Sequence, residues 1–421
     1  MKRSTALPAL VAASLGLAAL HAADWPAWRG VDGLGVSPER GFPAEWSRER
    51  NVAWRNVLPG RGSSSPIIVG RRVYVTSQTA DKGLHVLALE ADTGAVAWDS
   101  EVGRGALHAH DLHNMATPSA VSDGKSVWVL FGTGDYARLD LDGKVVWHRN
   151  FVKETGPIRT NHGYGTSPVL LDGRLYLTLM HQGPSWFLAV DAATGKDLWR
   201  KERSFGAEQE AQDSYSTPFV HRHGGRTELV VAGGEVLNAY DPATGEETWR
   251  FGGLKVNHPY GRTIAGPTGG DGVVLVVSSG FQNRGSTTAV KAGGTGDVTA
   301  THRLWNQAKF SADCPTPVIV DGLVFSVRDD GMASCLDLKT GEPQWQERLF
   351  TDNVKVSPVA ADGRVYFQSG QSQCVVVKAG RKFEVLARNT LKESTQSTPA
   401  LSGGRIYLRT DEALYAVAAK P

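Results

Sequence analysis

One short phrase recurs eight times along the 421-residue chain and leaves few architectures open. It is a small or hydroxyl residue, a proline, an apolar strand, a glycine-containing turn and a second apolar strand. The prolines are Pro66, Pro118, Pro168, Pro218, Pro267, Pro317, Pro358 and Pro399, spaced by 52, 50, 50, 49, 50, 41 and 41 residues. Ser or Thr precedes each of them except Pro267, which follows Gly266. The turns read Gly70-Arg71, Asp123-Gly124, Asp172-Gly173, Gly224-Gly225, Asp271-Gly272, Asp321-Gly322, Asp362-Gly363 and Gly403-Gly404. Such pairs supply the positive-φ residues of tight hairpins.

Each unit ends on a second phrase. It is Asp191-Ala-Ala-Thr-Gly195 leading to Trp199, Asp241-Pro-Ala-Thr-Gly245 leading to Trp249, and Asp337-Leu-Lys-Thr-Gly341 leading to Trp345, with degenerate copies at Trp98, Trp147 and Trp305. A unit of this length holds four short strands and three turns, which is a propeller blade. The expected fold is all-β: an eight-bladed propeller of four-stranded antiparallel blades. The eighth blade runs out after three strands. Asn51-Val-Ala-Trp54-Arg carries a Trp with no blade before it, so residues 51–57 are expected to supply the missing outer strand and remove the open edge. A Trp at one fixed place per blade is read as packing between blades.

The phrase Ala-x-Asp-x-x-Thr-Gly-x-x-x-Trp, complete at Ala189–Trp199 and Ala239–Trp249, resembles the repeat of pyrroloquinoline-quinone (PQQ) type propellers. That group includes quinoprotein alcohol dehydrogenases and the propeller scaffold of the outer-membrane β-barrel assembly machinery. The resemblance covers residues 51–417. The stretches Trp25-Pro-Ala-Trp-Arg-Gly30 and Phe131–Gly143 are similar to a subgroup of exported PQQ-repeat proteins without an assigned role. The resemblance implies two functional expectations, since the fold hosts both. One is a binding or scaffold module with envelope or secreted proteins, or a small polar ligand, as partners. The other is a PQQ- or metal-dependent oxidoreductase. Quinoprotein dehydrogenases carry an adjacent Cys pair over the quinone and a calcium held by Glu, Asn and Asp. No two Cys are adjacent here, and that trio finds no match.

Residues 1–22 read as a secretory signal, with Lys2 and Arg3 before an apolar run of about 15 residues, short of the roughly 20 that span a bilayer. Residues 23–50 form an N-terminal arm and 51–421 the propeller, and a periplasmic or secreted monomer without a membrane span is expected. The chain has 45 Lys and Arg against 43 Asp and Glu, so its formal charge of +2 belongs to the leader. A neutral remainder gives a nucleic-acid partner no electrostatic support. Cys314, Cys335 and Cys374 are expected to be free thiols. Cys335 stands where blades three and four have Ala189 and Ala239, and Cys374, two residues before Val376, is assigned the same place in blade seven.

In a propeller the residues just before each repeated proline converge on one mouth of the central channel. This places Arg61, His113, His162, Tyr164, Tyr215, Arg262, Asp213, Asp313 and Lys355 there. The longest entry loops add His108, His110 and His258. Three readings of this rim stay open. His108-x-His110-x-x-His113 with His162 could ligate a divalent metal. Arg61, His113, His162, Tyr164, Tyr215, His258, Arg262 and Lys355 could hold a polar planar ligand such as a quinone carboxylate, with Asp213 or Asp313 as base. The third reading is a water-filled polar mouth that docks protein segments.

Overall fold

The computed structural model describes residues 24–279 and 284–419; the leader expected over residues 1–22 lies outside them. Eight antiparallel sheets follow the eight repeats. Blade one is Ile67–Val69, Arg72–Gln78, Gly83–Glu90 and Val96–Arg104, paired in that order. The hairpin after the inner strand turns on two consecutive positive-φ residues, as at Asp172 (φ 49°) and Gly173 (φ 71°). This matches the right-handed twist of the strands it joins. Blade eight is Ala400–Ser402, Arg405–Arg409 and Ala413–Ala418. Its outer strand is Val52–Val57, antiparallel to Ala413–Ala418 with Trp54 opposite Ala416. The ring therefore closes as the sequence predicts.

The closing phrase makes a lock between neighbours. Asp191 Oδ1 accepts from both the amide and the hydroxyl of Thr194, which shapes the turn that Gly195 ends at φ 72°. The ring of Trp147, from the preceding blade, lies on Gly195; a Cβ there would come within 2.9 Å of it. The indole then donates to the next blade's backbone, Trp147 Nε1 to Ala192 O at 3.1 Å. Trp54 makes the same bond to Ala91 O at 2.9 Å and covers Gly94, so blade eight is locked to blade one like any other pair. Arg409 adds a second pin across that joint, donating to Ser64 Oγ and Thr76 O, both at 2.5 Å. Apolar clusters run from blade to blade, each joining two neighbours, and the largest joins blades seven, eight and one.

Blade seven departs from the pattern. Val376 faces Ala387, the pairing that Cys335 and Trp345 make in blade six. The position equivalent to Cys335 is therefore Val376, and Cys374 lies two residues earlier on the same strand, a correction of one strand repeat. All three cysteines are free. Ala387 leaves blade seven without its Trp, and the arm supplies one: Trp46 stacks on Tyr366 at 6.4 Å between ring centroids. Trp98 meets Tyr74 of its own blade at 5.9 Å in the corresponding way.

The arm crosses the face opposite the mouth. Trp25 bridges Ile68 of blade one, and Val36–Ser37 adds a parallel strand beside Val359–Ala361 of blade seven. Between them lies Trp28, whose ring approaches Gly266; a Cβ on Gly266 would stand 3.2 Å from it. This explains why the fifth repeat has glycine where the others have Ser or Thr. Arg29, fully buried, donates to the carbonyls of Gly33, Leu34, Thr316, Pro317 and Pro358. Among the described residues no carboxylate partners it, and burial lowers its pKa to about 9.

Candidate functional site

The channel is walled by the inner ends of the blades. A girdle of hydroxyl side chains ties them together: Ser65 N donates to Ser119 Oγ, Ser119 N to Ser167 Oγ, and Ser167 N to Thr217 Oγ1, at 2.9–3.0 Å. It continues from Gly266 N to Thr316 Oγ1 and from Thr316 N to Ser357 Oγ. Within the girdle is a space of ≈ 140 Å³ that has Trp28 on one side. It shares walls with a cavity of ≈ 260 Å³ at the open mouth, lined by His110, Leu112, His113, His162, Tyr215, Arg262, Ile264, Asp313, Cys314 and Lys355 among others.

The charged groups at the mouth form a connected chain. His162 Nδ1 lies 3.0 Å from Glu210 Oε1, which also receives Arg262 Nη1 at 3.1 Å. Arg262 Nη2 reaches Asp313 Oδ2 at 2.7 Å. The amides of Asp313 and Cys314 donate to Asp329 Oδ1, and Lys355 Nζ pairs with Asp329 Oδ2. Burial alone would pull Arg262 and Lys355 down, but their acidic neighbours hold both above the ordinary range. Burial pushes Glu210 up, yet His162 and Arg262 outweigh it and keep its carboxyl below the usual value.

Beside this chain, Asp213 is fully buried. Its Oδ2 accepts from Asn161 N, Gln182 Nε2 and Tyr215 Oη, each at 3.1 Å. Burial still dominates, and its pKa rises to about 6. Tyr215 is pushed up by burial and by Asp213. His113 is driven down to about 4 by burial and by the neighbouring His162 and His110. The Cys314 thiol is pushed well above its ordinary range by burial, so it is no ready nucleophile.

Of the residues assigned to the mouth from sequence, His110, His113, His162, Tyr215, Arg262, Asp313 and Lys355 come together around the cavity. Asp213 stands behind Tyr215. Tyr164 is instead sealed in the core, with its hydroxyl donating to Thr178 O at 2.5 Å. Arg61 pairs with Asp411 at 3.1 Å, and His258 accepts from Tyr260 N at 3.2 Å; neither lines the cavity. His108 Nε2 contacts Asn161 O at 3.0 Å. His110 stacks on His162 with centroids 5.5 Å apart. Among the described residues, the three-residue cluster with metal-ligand spacing is Asp313, Cys314 and Asp329, not the histidines, and Arg262 and Lys355 already neutralise its carboxylates. Sequence reasoning missed Glu210. Its only signal was an acid in the long loop before Asp213.

A family model described as outer membrane protein assembly factor BamB matches residues 47–204 and 184–420. The chain belongs to this family. It is 24% identical over 367 residues to a polyvinylalcohol dehydrogenase of Sphingopyxis sp. (strain 113P3), covering 75% of this chain and 49% of that one. The chain thus spans about half the length of that relative. It is 28% identical over 153 residues to outer membrane protein assembly factor BamB of Alkalilimnicola ehrlichii, 36% of this chain and 35% of the relative. In fold it matches the quinohemoprotein alcohol dehydrogenase of Comamonas testosteroni with a TM-score of 0.64 at 13% identity, covering 95% of this chain and 81% of that structure. PQQ-type propellers of both kinds, scaffold and dehydrogenase, are thus its relatives. No helix among the described residues is long and apolar enough to cross a membrane.

PQQ carries three carboxylates, and the mouth is a poor match for them. Its two lining cations, Arg262 and Lys355, are already paired, to Glu210 and Asp313 and to Asp329, of which Asp313 also lines the cavity. An added tricarboxylate would meet like charge in a partly desolvated space. The residues present offer such a group no cation that is free of a protein carboxylate.

Proposed function

We propose that this family member is an exported binding module that takes a small polar ligand, or a segment of an envelope or secreted protein, at the open mouth of its ring. The observation that carries this reading is the asymmetry of the channel. Trp28 and Arg29 plug the channel axis at the arm face with packed and hydrogen-bonded side chains, although a groove of ≈ 650 Å³ lies beside them between the arm and blades two to four. The other end opens onto a cavity whose walls keep polar atoms without a protein partner, among them both ring nitrogens of His113 and Oδ1 of Asp313. Buried polar atoms are ordinarily paired, and a ligand is one way to pair them.

An oxidoreductase is the second reading, and one feature favours it. Asp213 has a pKa near neutrality and holds Tyr215 at the cavity wall, the kind of group that serves as a general base. One experiment separates the two. The mature protein is titrated with PQQ and Ca²⁺ while its absorption spectrum and melting temperature are followed. The binding reading expects no stoichiometric quinone spectrum. A quinone spectrum that appears in the wild type and is lost in Arg262→Ala would install the oxidoreductase instead.

A further inference from the structure

We infer that the ligand of the mouth is a small organic cation, a primary ammonium on a short apolar stem. The inference rests on the binding reading above and adds the sign and shape of the ligand. Asp313 lines the cavity, and Glu210, Asp213 and Asp329 stand behind its wall, so four carboxylates are set against two permanent cations, Arg262 and Lys355. Asp313 Oδ1, at the cavity wall, has no protein donor. Behind the wall, Glu210 and Asp213 are 2% and 0% exposed, and each also keeps one carboxylate oxygen without a donor, Oε2 and Oδ1. A buried carboxylate oxygen without a donor is costly, and an ammonium brings three donors and the compensating charge.

The rest of the cavity suits the remainder of such a ligand. Leu112 and Ile264 offer apolar contact to a carbon stem, and the Tyr215 ring offers a π face to a cation. At ≈ 260 Å³ the space is far larger than a bare metal ion needs. The protein already contains the interaction in miniature: the Lys355 ammonium, on its own alkyl stem, lines the same cavity and pairs with Asp329 behind it. An ammonium ligand entering beside it would treat Asp313 as Lys355 treats Asp329.

The test is calorimetry and thermal shift on the mature protein with 1,4-diaminobutane, with succinate as the opposite charge and CaCl₂ as the bare cation. Saturable binding of the diamine is expected, weakened roughly tenfold or more in Asp313→Asn. Lys355→Ala frees Asp329 and is expected to bind the diamine several-fold more tightly, a gain that a misfolded variant would not give. Binding is also expected to fall as the pH drops through about 6, where Asp213 takes up a proton among Glu210, His162 and Tyr215. Succinate binding in place of the diamine overturns the charge assignment and leaves the binding module standing. Calcium acting as well as the diamine, with the same loss in Asp313→Asn, overturns the organic ligand. No response to any of the three overturns the inference and the binding reading together.

Discussion

The two ends of the channel solve the same problem in opposite ways. At the arm end, Arg29 is buried without a counter-ion, but five carbonyls take its donors and Trp28 fills the space beside Gly266. At the mouth, ionised groups pair in a chain that still leaves carboxylate oxygens and both nitrogens of His113 without protein partners. The arm also leaves buried atoms unpartnered, Trp25 Nε1 and Trp46 Nε1, but those of the mouth include charged carboxylate oxygens, which cost more to bury. On the proposed reading the arm end is structural and the mouth functional, although both are rich in charge and aromatic rings.

The harshest way to break this contrast is to remove residues 24–58, which takes away the arm and the closing strand together. The expected result is loss of cooperative unfolding of the whole ring, since blade eight then lacks its outer strand and its Trp54 lock to blade one. An unchanged denaturation midpoint would contradict the closure. Next in size is Arg29→Leu, which strands five carbonyl acceptors in the core. A loss of about 3 kcal/mol is expected by urea unfolding, with the mouth's ligand affinity unchanged once the protein is folded.

Asp213→Asn probes the other end and should have the opposite sign. The folded pKa of about 6 lies above the ordinary carboxylate value. Asp213 therefore favours the folded state below about pH 4, and that contribution is lost as the pH rises through 6. The Asn variant, relative to wild type, should gain about 2 kcal/mol between pH 4 and pH 8, read from paired unfolding curves at the two pH values. A difference that stays flat with pH would deny that Asp213 is strained by burial.

The smallest effect sharpens the plug. Gly266→Ser restores the residue type of the other repeats but should cost about 1 kcal/mol, because the new Cβ meets Trp28 and the carbonyl of Thr217 at 3.2 and 3.1 Å. In a Trp28→Ala background most of that cost should vanish. Additive losses in the double-mutant cycle would mean the two do not touch.

The sequence made the ring legible because its determinants are local and repeated. An Asp-Gly turn, a Thr-Gly turn and a Trp each act within one blade or on the next, so spacing alone reveals them. The closing strand was legible for the same reason, as Trp54 is a Trp without a blade. The mouth was half legible. The positions before each proline converge as expected for His113, Arg262 and Lys355, but position does not say which way a side chain turns, and Tyr164 turns into the core. Glu210 lies in a short 3₁₀ turn, Gln209–Gln212, outside the repeat, so nothing periodic marks it. The arm was illegible because its partners are distant: Trp46 completes blade seven, more than three hundred residues away, and only the missing Trp at Ala387 hinted at it.

The most direct measurement is amide hydrogen exchange on the purified protein, comparing the two ends in one experiment. The amides of Trp25, Gly30 and Gly35 bond to Ile68 O, Ala27 O and Arg29 O. They should exchange only with global unfolding of the ring, while the amides of the entry loops at residues 105–117 and 157–166 exchange earlier by local opening. Arm amides that exchange as fast as the entry loops would show that the arm is no part of the ring's core, and would contradict the proposed division of the molecule into a structural arm end and a working mouth.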